Sequence, residues 1–340
     1  MKQIWKQIAA SAVMGLLAPG LVLATVVAIS EHRETPENVA SLTQSVSGTA
    51  QSETIPDVPQ TGMSMTIPVL FGDGGVVQMD LDTYLVGVVL AEMPASFEPE
   101  AHKAQAVVAR TYALKRFTGQ PKHEGGAVCT DSACCQGYIS PEDYLENGGT
   151  QAEVDEIRQD VLETSGEVLT YQGELIEATY FSCSGGWTED ALAVWGAEIP
   201  YLHATSSPGE ENASHYTDTV FFTKMEFAAA LGVELSGEPD TWLGDVSYTP
   251  GGGVDTLEIG GIAYKGTTLR RLLGLRSTAF TMTPQENGIT VVTKGFGHRV
   301  GMSQYGADAM AVSGSSYEEI LTHYYSGTVL ENYTSAGIDN

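Results

Sequence analysis

Residues 8–29, "IAASAVMGLLAPGLVLATVVAI", are 22 consecutive positions without a charge. About 20 predominantly apolar residues are enough for a helix to cross the hydrocarbon core, so this stretch reads as a membrane span. Setting aside Lys2 and Lys6, which precede it, the 16 cations of the chain become 14 against 43 acids, a net charge of −29 beyond residue 30. With the cations before the span and the acids after it, Met1 is expected in the cytoplasm and everything after the span outside, as a single-pass cell-membrane protein. A cleaved secretory signal is the alternative. It would need a shorter apolar region of about 7–15 residues and a small-x-small site, which "ATVVA" approximates poorly. Pro19 would kink such a helix without preventing it from spanning. The acidity excludes nucleic acid as a partner, because phosphate binding needs a basic face.

Residues 31–64 are rich in Ser, Thr, Gln, Glu and Pro and have no apolar periodicity, so they read as a disordered stalk. Such a chain reaches roughly 30 Å, which keeps whatever follows near the outer membrane face. The folded part is expected over 65–340. There "MTIPVLF" and "VVQMDL" read as two strands about an Asp-Gly turn. "DTYLVGVVLAEM" reads as an extended segment ended by Pro94. The stretch 98–117 reads as a strong helix, with acids in its first turn, Lys115 and Arg116 in its last, and Ala101, Ala104, Val108 and Tyr112 facing the core. Strand-like runs recur at 167–182 and 287–294, and Ser316 with Glu319 forms a capping box before another helix. The irregular interleaving makes the class α+β, with mixed or antiparallel strands and helices around a substrate cleft.

Three stretches are unlike ordinary core sequence: "VVLAEMPASFEPEAHKAQAVVARTYAL" (88–114), "HEGGAVCTDSACCQGY" (123–138) with "TYFSCSGG" (179–186), and "GFGHRVGMSQYGADAMA" (295–311). In the first, Glu92 lies among Leu90, Ala91 and Met93. An acid in an apolar lining has its charged form desolvated, its pKa rises, and it can donate a proton near neutral pH. In the second, His123, Cys129, Cys134 and Cys135 stand beside Gly125 and Gly126, a donor set and loop suited to a structural zinc ion. A disulfide that draws on Cys183, or free thiols, are the other readings of four extracytoplasmic cysteines. A Cys183 nucleophile with His298 as base lacks any local signature.

In order and separation, these stretches resemble the stage II sporulation protein D family, membrane-anchored lytic transglycosylases of endospore-forming bacteria, from about residue 65 onward. The resemblance places Glu92 as catalytic acid and base. Its implied reaction cleaves the β-1,4 bond between N-acetylmuramic acid and N-acetylglucosamine in peptide-stripped glycan, leaving 1,6-anhydromuramyl ends during forespore engulfment. Lys103 and Arg110 fall on basic active-site positions of the family. A cation touching Glu92 would oppose an acid role, so both are expected toward the sugar's lactyl carboxylate. Ser182, Ser184, His298, Ser303, Gln304 and Tyr305 are expected to bind sugar groups, and some members hold zinc with a His/Cys set, although this chain has Cys134 where those carry His. Arg299 stands where the family usually has Gly, and an arginine is not expected at a positive φ. Implied partners are the glycan strand, an engulfment amidase like stage II sporulation protein P and a scaffold like stage II sporulation protein M. The same domain also occurs in amidase enhancers, so a non-catalytic wall-binding role is the alternative.

Overall fold

The computed structural model describes residues 65–338 except 73, 120 and 125–127. The expected span at 8–29, the stalk at 31–64, and Gly125 and Gly126 lie outside the described residues. Among the described residues no helix is long and apolar enough to cross a membrane. The class is α+β, with several small sheets and helices sharing three hydrophobic cores.

The hairpin of β1 (Thr66–Leu70) and β2 (Val76–Asp80) pairs Thr66 with Asp80 and leads directly into α1 (Leu81–Glu92). Here the structure departs from the extended segment expected from the β-branched run. Asp80 Oδ1 caps the helix by accepting from the Thr83 amide at 2.9 Å, and nearly every side chain from Leu81 to Leu90 is buried, so packing on all sides overrides the propensity of the valines. Pro94 disfavours helical geometry at Met93, which is extended, so the helix stops just past Glu92.

The second helix, α2 (Pro99–Thr118), has Pro at its start, Glu100 in its first turn and Lys115 and Arg116 in its last. Ala101, Ala104, Val108 and Tyr112 are buried, and so is almost everything from Ala104 to Leu114, which makes this the central helix of the molecule. Its alanines let neighbours approach closely. Arg110 sits in the middle of it, fully buried.

Beyond α2 come β3 (Val128–Cys129), parallel to β1, then α3 (Pro141–Glu146), α4 (Gln151–Glu163), β4 (Glu167–Tyr171), β5 (Glu174–Leu175) and β6 (Tyr180–Phe181). The short helix α5 (Ala191–Trp195) follows a loop, and then the chain enters a second lobe.

That lobe comprises β7 (Thr217–Thr223), α6 (Lys224–Leu231), β8 (Leu243–Tyr248), β9 (Val254–Ile259), β10 (Ile262–Lys265), α7 (Gly266–Leu273), β11 (Ala279–Gln285) and β12 (Gly288–Lys294). Two antiparallel three-stranded sheets, ordered β10-β9-β8 and β11-β12-β7, and the two helices enclose a core of Phe227, Trp242, Ile259, Leu269, Ile289 and Val291. This core draws only on residues within the lobe, so the folded part carries two lobes' worth of core in one continuous chain.

The chain then returns through β13 (Met302–Ser303), which pairs in parallel with β6, to α8 (Gln304–Val312), α9 (Tyr317–Tyr324) and β14 (Val329–Asn332), the last antiparallel to β4. Helix α9 carries the reciprocal Ser316 and Glu319 capping box. The pairing of β6 with β13 brings the 179–186 stretch against the 295–311 stretch, although more than a hundred residues separate them.

Candidate active site

Glu92 is the last residue of α1, and its carboxyl faces inward. Segment 136–139 runs alongside this helix. The Ile139 amide donates to the Gly87 carbonyl at 3.1 Å, and a Cβ at Gly87 would stand 2.3 Å from the Tyr138 ring, so only glycine allows this approach. One step further along, the Gly137 amide donates to Glu92 Oε1 at 2.5 Å. Burial raises the Glu92 carboxyl above the usual carboxylate range, and the Gly137 hydrogen bond, then Tyr180 and Gln304, act the other way by favouring the charged form. Tyr180 comes from β6 and Gln304 from the first turn of α8, so three regions distant in sequence surround the acid. A chain of hydrogen bonds backs them: the Tyr84 hydroxyl donates to Gln136 Oε1 at 3.3 Å, and Gln136 Nε2 donates to the Tyr180 hydroxyl at 3.4 Å. Gln304 Nε2 is buried and makes no hydrogen bond of ordinary geometry among the described residues, which leaves a donor beside the acid.

The cations expected at the sugar are elsewhere. Arg110 is fully buried, with Nη2 donating to Asp82 Oδ1 at 3.0 Å and to the Val161 carbonyl at 3.3 Å, and Nη1 to the Glu167 carbonyl at 3.2 Å. It ties α1, α4 and β4 to the central helix. A guanidinium so enclosed has no free face for a carboxylate ligand, which corrects the expectation. Lys103 is half-buried and lies between Glu100, at 2.8 Å, and Glu163, at 2.7 Å, ion-paired to both.

Three of the expected sugar-binding side chains serve the protein itself. The Ser184 hydroxyl is buried and donates to Glu210 Oε1 at 2.9 Å. Glu210 also receives the Ser184 and Gly185 amides, the Ser207 hydroxyl and the Cys183 thiol, and so knots the 182–186 loop. Ser303 is buried as the N-cap of α8, accepting from the Gly306 amide at 3.2 Å. His298 Nδ1 accepts from the Val300 amide at 3.1 Å while its ring packs on Phe181 and Trp195. Burial, then the positive charge of Arg270, pushes His298 down to about 4, so it stays neutral at physiological pH. Ser182 and Tyr305 are partly exposed. Tyr305 packs edge-on against Phe97 at 5.0 Å, next to the Glu92 turn.

Arg299 has a φ of +67°, the conformation not expected of an arginine. Its side chain compensates. Nε donates to the Ser184 carbonyl at 2.7 Å, Nη2 to the carbonyls of Trp187 and Gly251 at 2.7 and 2.8 Å, and Nη1 pairs with buried Glu189 at 3.1 Å. A left-handed residue costs about 1–2 kcal/mol. Charge-assisted bonds of this kind, at about 1.5–3 kcal/mol each, exceed that.

Cys183 is buried, and its thiol donates to Glu210. All four cysteines are free, and burial, then the Glu210 charge, pushes the Cys183 thiol up to about 12. The other three stand with His123. Sγ of Cys134 and of Cys135 lie 3.6 and 3.4 Å from His123 Nε2, and the four donor atoms, including Cys129 Sγ, lie within 4.8 Å of one another. Zinc–sulfur bonds of about 2.3 Å in a tetrahedron place donors at such separations, so the set fits a closed structural zinc site. Cys129 is carried on β3, and the turn at 131–135 is tied by the Cys134 and Cys135 amides donating to the Asp131 carbonyl. Cys135 is two residues before Gly137, so this cluster anchors the segment that delivers an amide to Glu92.

Sequence reasoning missed Gly137, Tyr180, Gln136 and Glu210. The first and third lie at the end of "CCQGY", where the density of unusual residues is the available signal. Glu210, in "SSPGEENASHY", has none, since nothing local separates it from a surface acid.

A family model described as Stage II sporulation protein matches residues 74–171. Stage II sporulation protein D of Bacillus subtilis (strain 168) is 37% identical over 334 residues, covering 96% of this chain and 95% of that protein. Stage II sporulation protein D of Bacillus amyloliquefaciens is 41% identical over 256 residues, 74% of each. The amidase enhancer of Bacillus subtilis (strain 168) is 30% identical over 303 residues, 73% of this chain and 40% of that protein.

Proposed function

The chain belongs to the stage II sporulation protein D family, and from that premise we propose that it is a lytic transglycosylase acting on peptidoglycan during sporulation, with Glu92 as its single catalytic carboxyl. The observation that carries this reading is the environment of Glu92. The acid is raised by burial, and the groups that act against that shift are Gly137, Tyr180 and Gln304, none of them a carboxylate. Hydrolytic glycosidases use two carboxylates, one of them to activate water or to attack the sugar. One suffices where the nucleophile is the substrate's own muramyl C6 hydroxyl. Protonated Glu92 gives its proton to the glycosidic oxygen as the C1–O bond breaks. The resulting carboxylate, held by the Gly137 amide, then takes the proton of the C6 hydroxyl as that oxygen closes on C1. The product is a 1,6-anhydro sugar, and the acid is regenerated.

In this reading residues 8–29 anchor the enzyme in the membrane at the engulfing septum. The substrate is glycan freed of stem peptides by an amidase, and a membrane scaffold assembles the pair. The His123, Cys129, Cys134 and Cys135 set holds a structural zinc ion and supplies no step of the reaction.

The test is release of anhydromuramyl ends from peptide-stripped glycan. Native protein is expected to produce them, and Glu92→Gln to lose roughly 10²–10⁴-fold in rate with glycan binding kept within a few-fold. Turnover of the variant above about a tenth of native refutes the assignment. The 30% identity to an amidase enhancer supports a second reading, wall binding that modulates another hydrolase. It predicts no anhydro product from native protein and stimulation of an added amidase that survives Glu92→Gln.

A further inference from the structure

Helix α1 ends at Glu92 and α2 starts at Pro99, so the turn at 93–98 is the covalent continuation of the acid. Met93 and Phe97 anchor it on the apolar side, whereas Pro94, Ser96 and Glu98 are exposed. Polar ties hold the rest. The Glu98 amide donates to Asp308 Oδ1 of α8 at 2.9 Å, Phe97 packs on Tyr305 of the same helix, and the Phe97 amide donates back to the Pro94 carbonyl at 3.1 Å. That carbonyl has a second donor. His102, at the end of the first turn of α2 and 2% exposed, places Nε2 at 3.1 Å from it.

The other ring nitrogen, Nδ1, lies 3.1 Å from Oδ2 of Asp160, a buried carboxyl on α4. A carbonyl oxygen only accepts, so Nε2 carries a hydrogen, and one proton must lie between Nδ1 and Oδ2, on either atom. Asp160 thereby fixes the ring with its Nε2–H aimed at Pro94, since the hydrogen bond of one imidazole nitrogen sets the role of the other. Stability alone does not account for this pair. A buried ionic or hydrogen-bonded couple is often replaceable by apolar side chains of similar volume at little cost, whereas removing one member strands the other. What an apolar couple cannot supply is a donor for the carbonyl two residues beyond Glu92. The Glu92 carboxyl meets the Gly137 amide at 2.5 Å, so the end of α1 has little room to drift, and a misplacement of about 1 Å at a reacting group costs about 10²-fold.

We propose that His102, oriented by Asp160, is a positioning residue for Glu92: its Nε2–H pins the Pro94 carbonyl and so holds the end of α1 in register with Gly137. This rests on the reading of Glu92 as the catalytic acid. His102 acts through the backbone of the turn and exchanges no proton with the substrate.

The experiment compares two double variants of the full-length chain in detergent, His102→Leu/Asp160→Leu and His102→Gln/Asp160→Leu. Both remove the buried proton-sharing couple, but the glutamine amide extends to the position of Nε2 and keeps a donor for Pro94. Melting temperature, kcat and KM for anhydromuramyl release from peptide-stripped glycan, and hydrogen exchange of peptides covering 93–98 and 136–139 are measured in each. The two should melt alike. The leucine form is expected to lose about ten- to a hundredfold in kcat with KM nearly unchanged, and exchange in both peptides should rise about tenfold. The glutamine form should stay within about threefold of native in kcat. If the leucine form does not fold, His102→Asn takes its place with Asp160 intact. Its amide stands at the Nδ1 position, keeps Asp160 and cannot reach Pro94, so the same fall in kcat is expected. A couple that serves stability alone predicts equal kcat and equal exchange in the leucine and glutamine forms, and that result, or native kcat in a folded variant without the Pro94 donor, overturns the proposal. Native protein that releases no anhydro product would refute the enzymatic reading instead, and the exchange arm then decides whether His102 holds the turn: equal exchange in the two forms refutes it.

Discussion

Replacing Gly137 by alanine places a methyl carbon 2.9 Å from Glu92 Oε1, 3.4 Å from its Cδ and 3.6 Å from the Ala91 Cβ. Gly137 is not at a positive φ, so alanine adds no backbone strain there. Ordinary contact begins near about 3.5 Å, so the carboxyl must withdraw by roughly half an ångström. Oε1 is the free end of a side chain, and the fold adapts at a cost of under about 1 kcal/mol. Catalysis does not adapt so easily. The 2.5 Å amide bond to the acid is lengthened and weakened, and a misplacement of about 1 Å at a reacting group costs about 10²-fold. The expected result is a fall in kcat of about ten- to a hundredfold, with Tm and glycan affinity nearly native. The pH dependence shifts as well. The Gly137 amide favours the charged carboxyl, so weakening that bond raises the acid further. The protonated form then persists to higher pH, and the limb on which activity falls with rising pH moves up. Initial rates of anhydromuramyl release across a pH series, with melting curves on the same samples, read both effects. A kcat within about threefold of native and an unmoved limb would show that Gly137 does not position Glu92.

The same burial has a consequence for stability. A carboxyl whose folded pKa lies above its unfolded one destabilises the protein at pH values above the folded pKa, and the deficit disappears as pH falls through that value toward the unfolded one. Glu92→Gln is therefore expected to melt at a higher temperature than native at pH 8 and at the same temperature near pH 4, and a lower melting point at pH 8 would contradict this. Arg110→Ala strands Asp82 and two backbone carbonyls, and loss of about 3–5 kcal/mol is expected in denaturant titrations, with activity per folded molecule kept. A change below about 1 kcal/mol would mean the buried pair is not what holds α1 and α4 to the central helix. For the metal cluster, elemental analysis should find about one zinc per chain. Cys129→Ser should lose the zinc, lower Tm and slow catalysis through Gly137, while Cys183→Ser keeps the zinc because its sulfur lies with Glu210. Metal-free native protein of unchanged stability would reject the zinc site.

Some of this was written locally in the chain. Helix α2 follows from Pro99, its terminal charges and its alanine spacing, the hairpin from two strand runs about a turn, and α9 from its capping box, since each depends on neighbours a few positions away. The acid at 92 and the His/Cys cluster were legible for the same reason, because their chemistry lies in residue types crowded into short stretches. What local sequence could not carry was the direction of side chains set by contacts across the chain. The valines of α1 favour a strand until partners bury nearly every side chain of the segment. Arg110 looks like a flank cation until Asp82, from another helix, closes over it, and Arg299 is strained until carbonyls from two loops receive its guanidinium. Tyr180 and Gln304 reach Glu92 only because β6 pairs with β13. Spacing along a chain decides which face of an element a residue occupies, whereas the partner that meets that face is chosen by packing among elements far apart in sequence.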